Sequence, residues 1–243
     1  TTANVTAKAL TVSGITASNK VYDSTTNATT VLSFSGLIGS ETINNTNSST
    51  FDNKNIGTGK TVTVNSLTLV DGSNGGLASN YSISSGQTTT ANVSARPLTV
   101  SNISASNKSY DGTTAVSLDT SNVSYNGLVS GDDFSGSFSG LFANENIGSG
   151  RIVNITSSYS GDDIGNYSIT NQNTHFANIT IGNPTISGLS NQEKNFTSSS
   201  YTLTGTPSIS GLQIVYSSSD NSIATVNSTT GEVTFVNVGS VTI

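Results

Sequence analysis

Cysteine, methionine and tryptophan are absent from this 243-residue chain, proline occurs three times, and the single histidine is His175. Without cysteine no disulfide can form, and the redox compartment leaves no trace in the sequence. Methionine is missing even at residue 1, as expected of a processed chain or an excerpt. Charge is scarce as well: 9% of residues are Asp, Glu, Lys or Arg, against roughly 25% in ordinary soluble domains. Eight Lys and Arg stand against fourteen Asp and Glu, for a net charge of −6. No basic stripe exists to neutralise phosphates, which argues against nucleic acid as a partner. No apolar run approaches the ~20 residues that a membrane-spanning helix needs.

Ser, Thr, Asn and Gly take the place of the missing charges. Apolar residues make up 33% of the chain and recur in alternating blocks, so the polar bias does not read as disorder. Thr61-Val62-Thr63-Val64 and Leu67-Thr68-Leu69 alternate with period two, the mark of strands with one buried face. Turn dipeptides such as Asp71-Gly72, Asn74-Gly75 and Asp111-Gly112 separate such runs. No window carries a useful helical period. The fold class expected is all-β: three tandem β-sandwich or immunoglobulin-like domains in an elongated array.

The organising feature is a duplication. Ile15-Thr16-Ala17-Ser18-Asn19-Lys20-Val21-Tyr22-Asp23-Ser24-Thr25-Thr26 returns, at an offset of 88, as Ile103-Ser104-Ala105-Ser106-Asn107-Lys108-Ser109-Tyr110-Asp111-Gly112-Thr113-Thr114. Thr1 to Val12 match Thr89 to Val100 at the same offset, so that segment closes one repeat and opens the next. Phe51 to Lys60 correspond to Phe142 to Arg151, and Asn80-Tyr81 to Asn166-Tyr167. The expected organisation is residues 1–6 as the last strand of a preceding repeat or a donor strand, repeats at 7–94 and 95–181, and a third domain at 182–243 whose last strand looks incomplete. Pro97 and Pro184 sit at the two junctions, which predicts semi-rigid joints with small interfaces between independent units.

Asn-Lys followed by Tyr-Asp-Gly, with Phe142 to Gly150 and Gly165-Asn166-Tyr167 in support, resembles the YDG-type repeat of filamentous-haemagglutinin-like bacterial surface proteins. The first copy has Ser24 where the second has Gly112, which weakens the case for a turn that needs a positive φ. After Pro184 the period breaks. Ser218-Ser219-Asp220, Ala224-Thr225-Val226 and Thr230-Gly231 resemble a bacterial immunoglobulin-like domain of the group-2 type. Both resemblances imply extracellular or cell-surface spacer modules with no catalytic residues to carry over.

Motifs with chemical meaning are few, and each has a plainer explanation. Gly136-Ser137-Phe138-Ser139-Gly140 has the letters of a nucleophile elbow but no helix after it. Gly57-Thr58-Gly59-Lys60-Thr61 resembles the end of a phosphate loop, but Lys54 stands where its first glycine belongs, so a hairpin turn is expected. Asp132-Asp133 and Asp162-Asp163 lack the further oxygens that calcium takes and read as solvated turns, with Ser40-Glu41 aligned to the first pair. His175 reads as a packed or exposed junction residue. Lys20 and Lys108 recur with Asp23 and Asp111, as exposed turn ion pairs or, more sharply, as a lysine–asparagine crosslink. Sequons are frequent, from Asn4 through Asn166 and Asn195 to Asn227, and exceed the roughly ten that this composition generates by chance by too little to be more than weak evidence of glycosylation. The sequence therefore supplies no catalytic, cofactor-binding or metal-ligating set, and an enzyme is not expected.

The leading expectation is a stalk or spacer segment of a secreted or cell-surface adhesin or extracellular filament. Its partners would be neighbouring repeats, or identical subunits joined head to tail by β-strand addition. The alternative is a glycan-binding adhesion module. Its candidate rings are Tyr125, Tyr159 and Tyr201, which do not recur, whereas Tyr22, Tyr81, Tyr110 and Tyr167 repeat and read as core or corner residues.

Overall fold

The computed structural model describes residues 1–196, 199–209 and 211–243; Thr197, which completes the Asn195 sequon, lies outside them. The fold is all-β, with two single-turn 3-10 helices at Ala78–Asn80 and Ile164–Asn166 among the described residues. These turns occupy the same place in both repeats, immediately before Tyr81 and Tyr167. The chain divides into two compact units whose border cuts through the second repeat. The first unit holds residues 1–102, 120–138 and 157–172; the second holds 103–119, 139–156 and 173–243.

In the first unit, repeat 1 forms a five-stranded sheet in the order Lys20–Val21, Thr88–Ser94, Gly57–Asp71, Ile43–Phe51, Asn27–Ala28. The two alternating runs read from the sequence are one continuous strand, Gly57–Asp71, in which Val62 and Val64 are wholly buried and Thr61 faces outward. β-Branched side chains suit such a pleated, half-buried surface. Three inward polar residues satisfy one another: the Thr30 hydroxyl bonds Ser49 at 2.7 Å and donates to Asn47 at 2.8 Å. A second antiparallel pair, Thr11–Ala17 with Thr30–Ser35, covers the sheet, and Lys8–Ala9 runs parallel to Tyr81–Ser82.

Only Ala95 separates the last strand of repeat 1, Thr88–Ser94, from the first strand of repeat 2, Arg96–Ser101. Pro97 lies inside that strand and not in a linker. Its missing N–H is tolerated because the flanking partner, Ser124–Asn126, begins pairing only at Thr99. On its other side Arg96–Thr99 pairs in parallel with Tyr167–Thr170. One hydrophobic cluster then runs across the boundary: Tyr22, Phe51, Val62, Ala91 and Val93 of repeat 1 pack with Leu98 and Tyr167 of repeat 2. The expected small contact between independent units is corrected here. A one-residue connection gives the two repeats no room to separate, so they share a core.

A four-stranded sheet, to which the second unit contributes Lys108–Ser109, Thr174–Thr180 and residues 148–156 and 139–142, takes the order Lys108–Ser109, Thr174–Thr180, Gly148–Ser160, Ser135–Phe142, repeating the pattern of repeat 1. Residues 182–243 add two small sheets. One pairs Ile186–Ser187 with Thr206–Pro207; the other takes the order Tyr201–Thr202, Glu232–Phe235, Ala224–Val226. Ala224 and Val233 are its buried centre. Asp220 caps the turn before it by accepting from the Ser222 amide at 2.9 Å.

Candidate functional site

A dense set of side-chain contacts lies at the joint within the first unit, where loops of repeat 1 meet the end of repeat 2. It starts from the duplicated motif. Lys20 Nζ sits 2.7 Å from Asp23 Oδ1 and donates to the Thr25 carbonyl at 2.8 Å. Asp23 also accepts from the Thr25 amide at 2.9 Å. This clamp fixes the turn and aims Tyr22 out of it. The residue after the aspartate has a positive φ in both copies, 64° at Ser24 and 73° at Gly112. The turn takes the left-handed region in both copies, although Ser24 had weakened the case for it. The serine is tolerated there because its hydroxyl donates to Asp132 at 2.6 Å.

Tyr22 has no exposed surface. Its ring meets Tyr167 edge to face, centroids 5.6 Å apart, and its hydroxyl donates to Asp163 at 3.3 Å. A second loop of repeat 1 arrives beside it. Lys60, itself buried, bonds Asp52 at 2.8 Å and Asn53 at 2.7 Å and so shapes residues 52–56. That shape places Lys54 Nζ 2.6 Å from Asp163 and 3.5 Å from Asp132. Asn166 of repeat 2 closes the contact from below. It accepts from the Ile56 amide at 3.0 Å and donates to Asn55 at 3.2 Å. Arg96 ties the connection, its Nε donating to the Gly127 carbonyl at 2.6 Å.

The receiving face is internally braced. The Tyr167 hydroxyl donates to Asp132 and accepts from the Val129 amide, and Asp163 accepts from the Asp133 amide at 3.0 Å. Repeat 1 carries the same brace on its own corresponding face: Tyr81 donates to Glu41 and accepts from the Ile38 amide. This wiring makes Glu41 the counterpart of Asp132, one position away from the alignment with Ser40 read from sequence.

Two carboxylates share one lysine, and their titration follows. Burial works to raise the Asp132 carboxyl, but hydrogen bonds from Ser24 and Tyr167 and the Lys54 charge outweigh it and hold it below the usual value. Asp163 is held low chiefly by its bond to Lys54, against burial and the charge of Asp132. Lys54 is raised in turn by Asp163. Burial first, then the Asp132 bond, pushes the Tyr167 phenol up to about 12.

The other sequence candidates fall elsewhere. Asp132 and Asp163 are not solvated turn residues, since the side chain of Asp132 is fully enclosed and Asp163 is buried. Asn166 is buried and doubly bonded, so its sequon cannot serve as a glycan acceptor in the folded chain. The Lys20 and Lys108 amines contact Asp23 and Asp111 three residues away, and a crosslink over so short a loop would carry no load. Gly57-Thr58-Gly59-Lys60 forms a strand bulge, not a hairpin turn: Gly59 has φ 62° and donates its amide to Asn92 at 2.8 Å, as Gly150 does to Asn178. Ser137 lies mid-strand in Ser135–Phe142. His175 Nδ1 accepts the Ala105 amide at 3.3 Å. Tyr125 and Tyr159 pack over Gly136, where an added Cβ would come within 2.7 Å of the Tyr125 hydroxyl and 3.2 Å of the Tyr159 ring. Lys194 lies 4.3 Å from the centre of the Tyr201 ring.

Lys54 is the functional residue that sequence reasoning missed. Its signal was present as a difference between copies: Lys54 aligns with Glu145, and Asp163 with Leu77. No curated protein matches the chain. A family model described as the YDG domain matches it twice, over residues 6–91 and 94–175, which are the two copies that meet at this joint. The chain belongs to the YDG domain family.

Proposed function

We propose that the chain is a load-bearing spacer of a secreted or cell-surface adhesin or extracellular filament, in which YDG repeats are latched end to end. The observation that carries this reading is the joint: a one-residue connection, a buried tyrosine and a lysine shared by two carboxylates. Such a contact would transmit force from one repeat to the next. Strand direction supports the same reading. Lys8–Ala9 runs parallel to Tyr81–Ser82, Lys20–Val21 to Val93–Ser94, and Arg96–Thr99 to Tyr167–Thr170. When the two ends of a repeat are pulled apart, parallel early and late strands are loaded in shear, and their hydrogen bonds must fail together.

Residues 182–243 would continue the series as an immunoglobulin-like module, and residues 1–6 are the segment through which the spacer would be extended by strand addition. Single-molecule stretching of the whole chain tests the reading. We expect a resolved force peak for repeat 1 that Tyr22→Ala lowers. Extension without any resisting peak would overturn it.

A further inference from the structure

The contact between Lys54 and Asp163 has the layout of a reaction as well as of an ion pair. Lys54 Nζ lies 2.6 Å from Asp163 Oδ1, and the Tyr22 hydroxyl donates to that same oxygen at 3.3 Å. The other oxygen, Oδ2, accepts the Asp133 amide at 3.0 Å. Asp163 thus has one oxygen held by a backbone N–H and one offered to two proton donors. A fixed backbone N–H suits the negative charge that collects on a carbonyl oxygen when an amine adds to its carbon.

A second carboxylate stands beside the same amine. Asp132 Oδ1 is 3.5 Å from Lys54 Nζ, and its enclosed side chain is fixed by the hydroxyls of Ser24 and Tyr167. From there it can take a proton from nitrogen and pass it on. Tyr22 and Tyr167, which bond Asp163 and Asp132, pack edge to face. The side chain of Lys54 is 36% exposed, which leaves a departing water a way out.

We infer that Lys54 and Asp163 join through a self-formed amide bond, a crosslink between repeat 1 and the adjoining part of repeat 2, with Asp132 as the group that moves the proton. Lys54 first passes one proton to Asp163, leaving a neutral amine and a carboxylic acid. The nitrogen lone pair then adds to Asp163 Cγ, and Asp132 takes a second proton from nitrogen. Asp132 returns that proton to Oδ1, the Cγ–Oδ1 bond breaks, and Oδ1 leaves as water. The ammonium and carboxylate charges disappear together, and no oxidant or cofactor enters. The contact holds both partners in their charged forms, Lys54 raised by Asp163 and Asp163 lowered chiefly by Lys54. The neutral pair is therefore rare and the reaction slow, and the ion pair is the state of the chain before it.

The two residues are 109 apart (163 minus 54). A crosslink over so long a loop restricts the unfolded chain and takes load off the segment between its ends. The Lys20 and Lys108 pairs, three residues apart, could not do this. Repeat 2 carries Glu145 where repeat 1 has Lys54, so the second copy has no amine with which to repeat the bond. The bond concerns the joint alone and stands or falls apart from the spacer reading.

The test is the intact mass of the full chain, unfolded after incubation near neutral pH. It should fall short of the sequence mass by one water. A proteolytic digest should contain a branched peptide joining the segments around Lys54 and Asp163. Lys54→Arg, which keeps the charge but lacks the amine, should retain the full mass. Asp163→Asn should give the same branched peptide with ammonia lost in place of water. Asp132→Asn should slow its accumulation by roughly 100-fold or more while circular dichroism shows the fold unchanged. A folded chain that keeps its full mass overturns the inference. So does a loss of water confined to an unbranched peptide, which is what cyclisation of an aspartate would leave. An Asp132→Asn chain that reacts as fast as its parent overturns the role given to Asp132.

Discussion

Lys54 of repeat 1 lies 2.6 Å from Asp163 of repeat 2, and the second carboxylate it serves, Asp132, is 3.5 Å away. The side chain of Asp132 is fully enclosed while about a third of Lys54 is open to solvent. The pair is therefore stronger than an exposed ion pair and weaker than a dry one. Lys54→Met should destabilise the first unit by about 1–2 kcal/mol after allowing for that screening. A double-mutant cycle with Asp163→Asn checks it, and the two losses should not add.

Tyr22 is the larger contributor, because a whole ring leaves water. Tyr22→Ala should cost about 3–5 kcal/mol in urea unfolding, and Tyr22→Phe, which removes only the bond to Asp163, about 0.5–1.5 kcal/mol. Tyr110, its counterpart in repeat 2, is only half-buried. Tyr110→Ala should therefore cost less than half as much as Tyr22→Ala.

Ser24 separates backbone strain from a hydrogen bond. Ser24→Ala keeps the positive φ and loses the bond to Asp132, so it should destabilise by about 2 kcal/mol or more. Ser24→Gly loses the bond but removes the strain, and should be milder than alanine by about 1 kcal/mol. Equal losses for the two would mean that the turn is not strained.

The joint should open in acid. Asp132 and Asp163 both titrate below the ordinary carboxyl value when folded. Their contribution is present above the unfolded value near pH 4 and is lost as pH falls through the folded values. On the alkaline side, Lys54 and Tyr167 are raised, so their contribution is complete below about pH 10 and fades above it. Thermal unfolding between pH 2 and pH 5 checks the acid limb. Lys54→Met should flatten it.

Most of the fold is legible in the sequence because it is periodic. Alternation in Thr61-Val62-Thr63-Val64 places a strand, and the 88-residue offset places two copies of one unit. The joint is less legible because its parts are loop residues far apart: Tyr22 and Lys54 on one side, Asp132, Asp163 and Asn166 on the other. Nothing local couples them. Each copy, read for what it shares with the other, hides the contact, since the interface is written where the copies differ: Lys54 against Glu145, Asp163 against Leu77, Ser24 against Gly112. Pro97 misleads in the opposite direction. It reads as a linker residue and is a strand residue whose missing N–H has no ladder partner to disappoint.

The central claim is that repeat 1 and the adjoining half of repeat 2 stand or fall together. Native-state hydrogen exchange on Tyr22→Ala tests it most directly. The account predicts that amides in Thr88–Ser94, Arg96–Ser101 and Tyr167–Thr170 lose protection by a common factor. Loss confined to the Lys20–Thr25 turn, with the strands of repeat 2 unchanged, would contradict it.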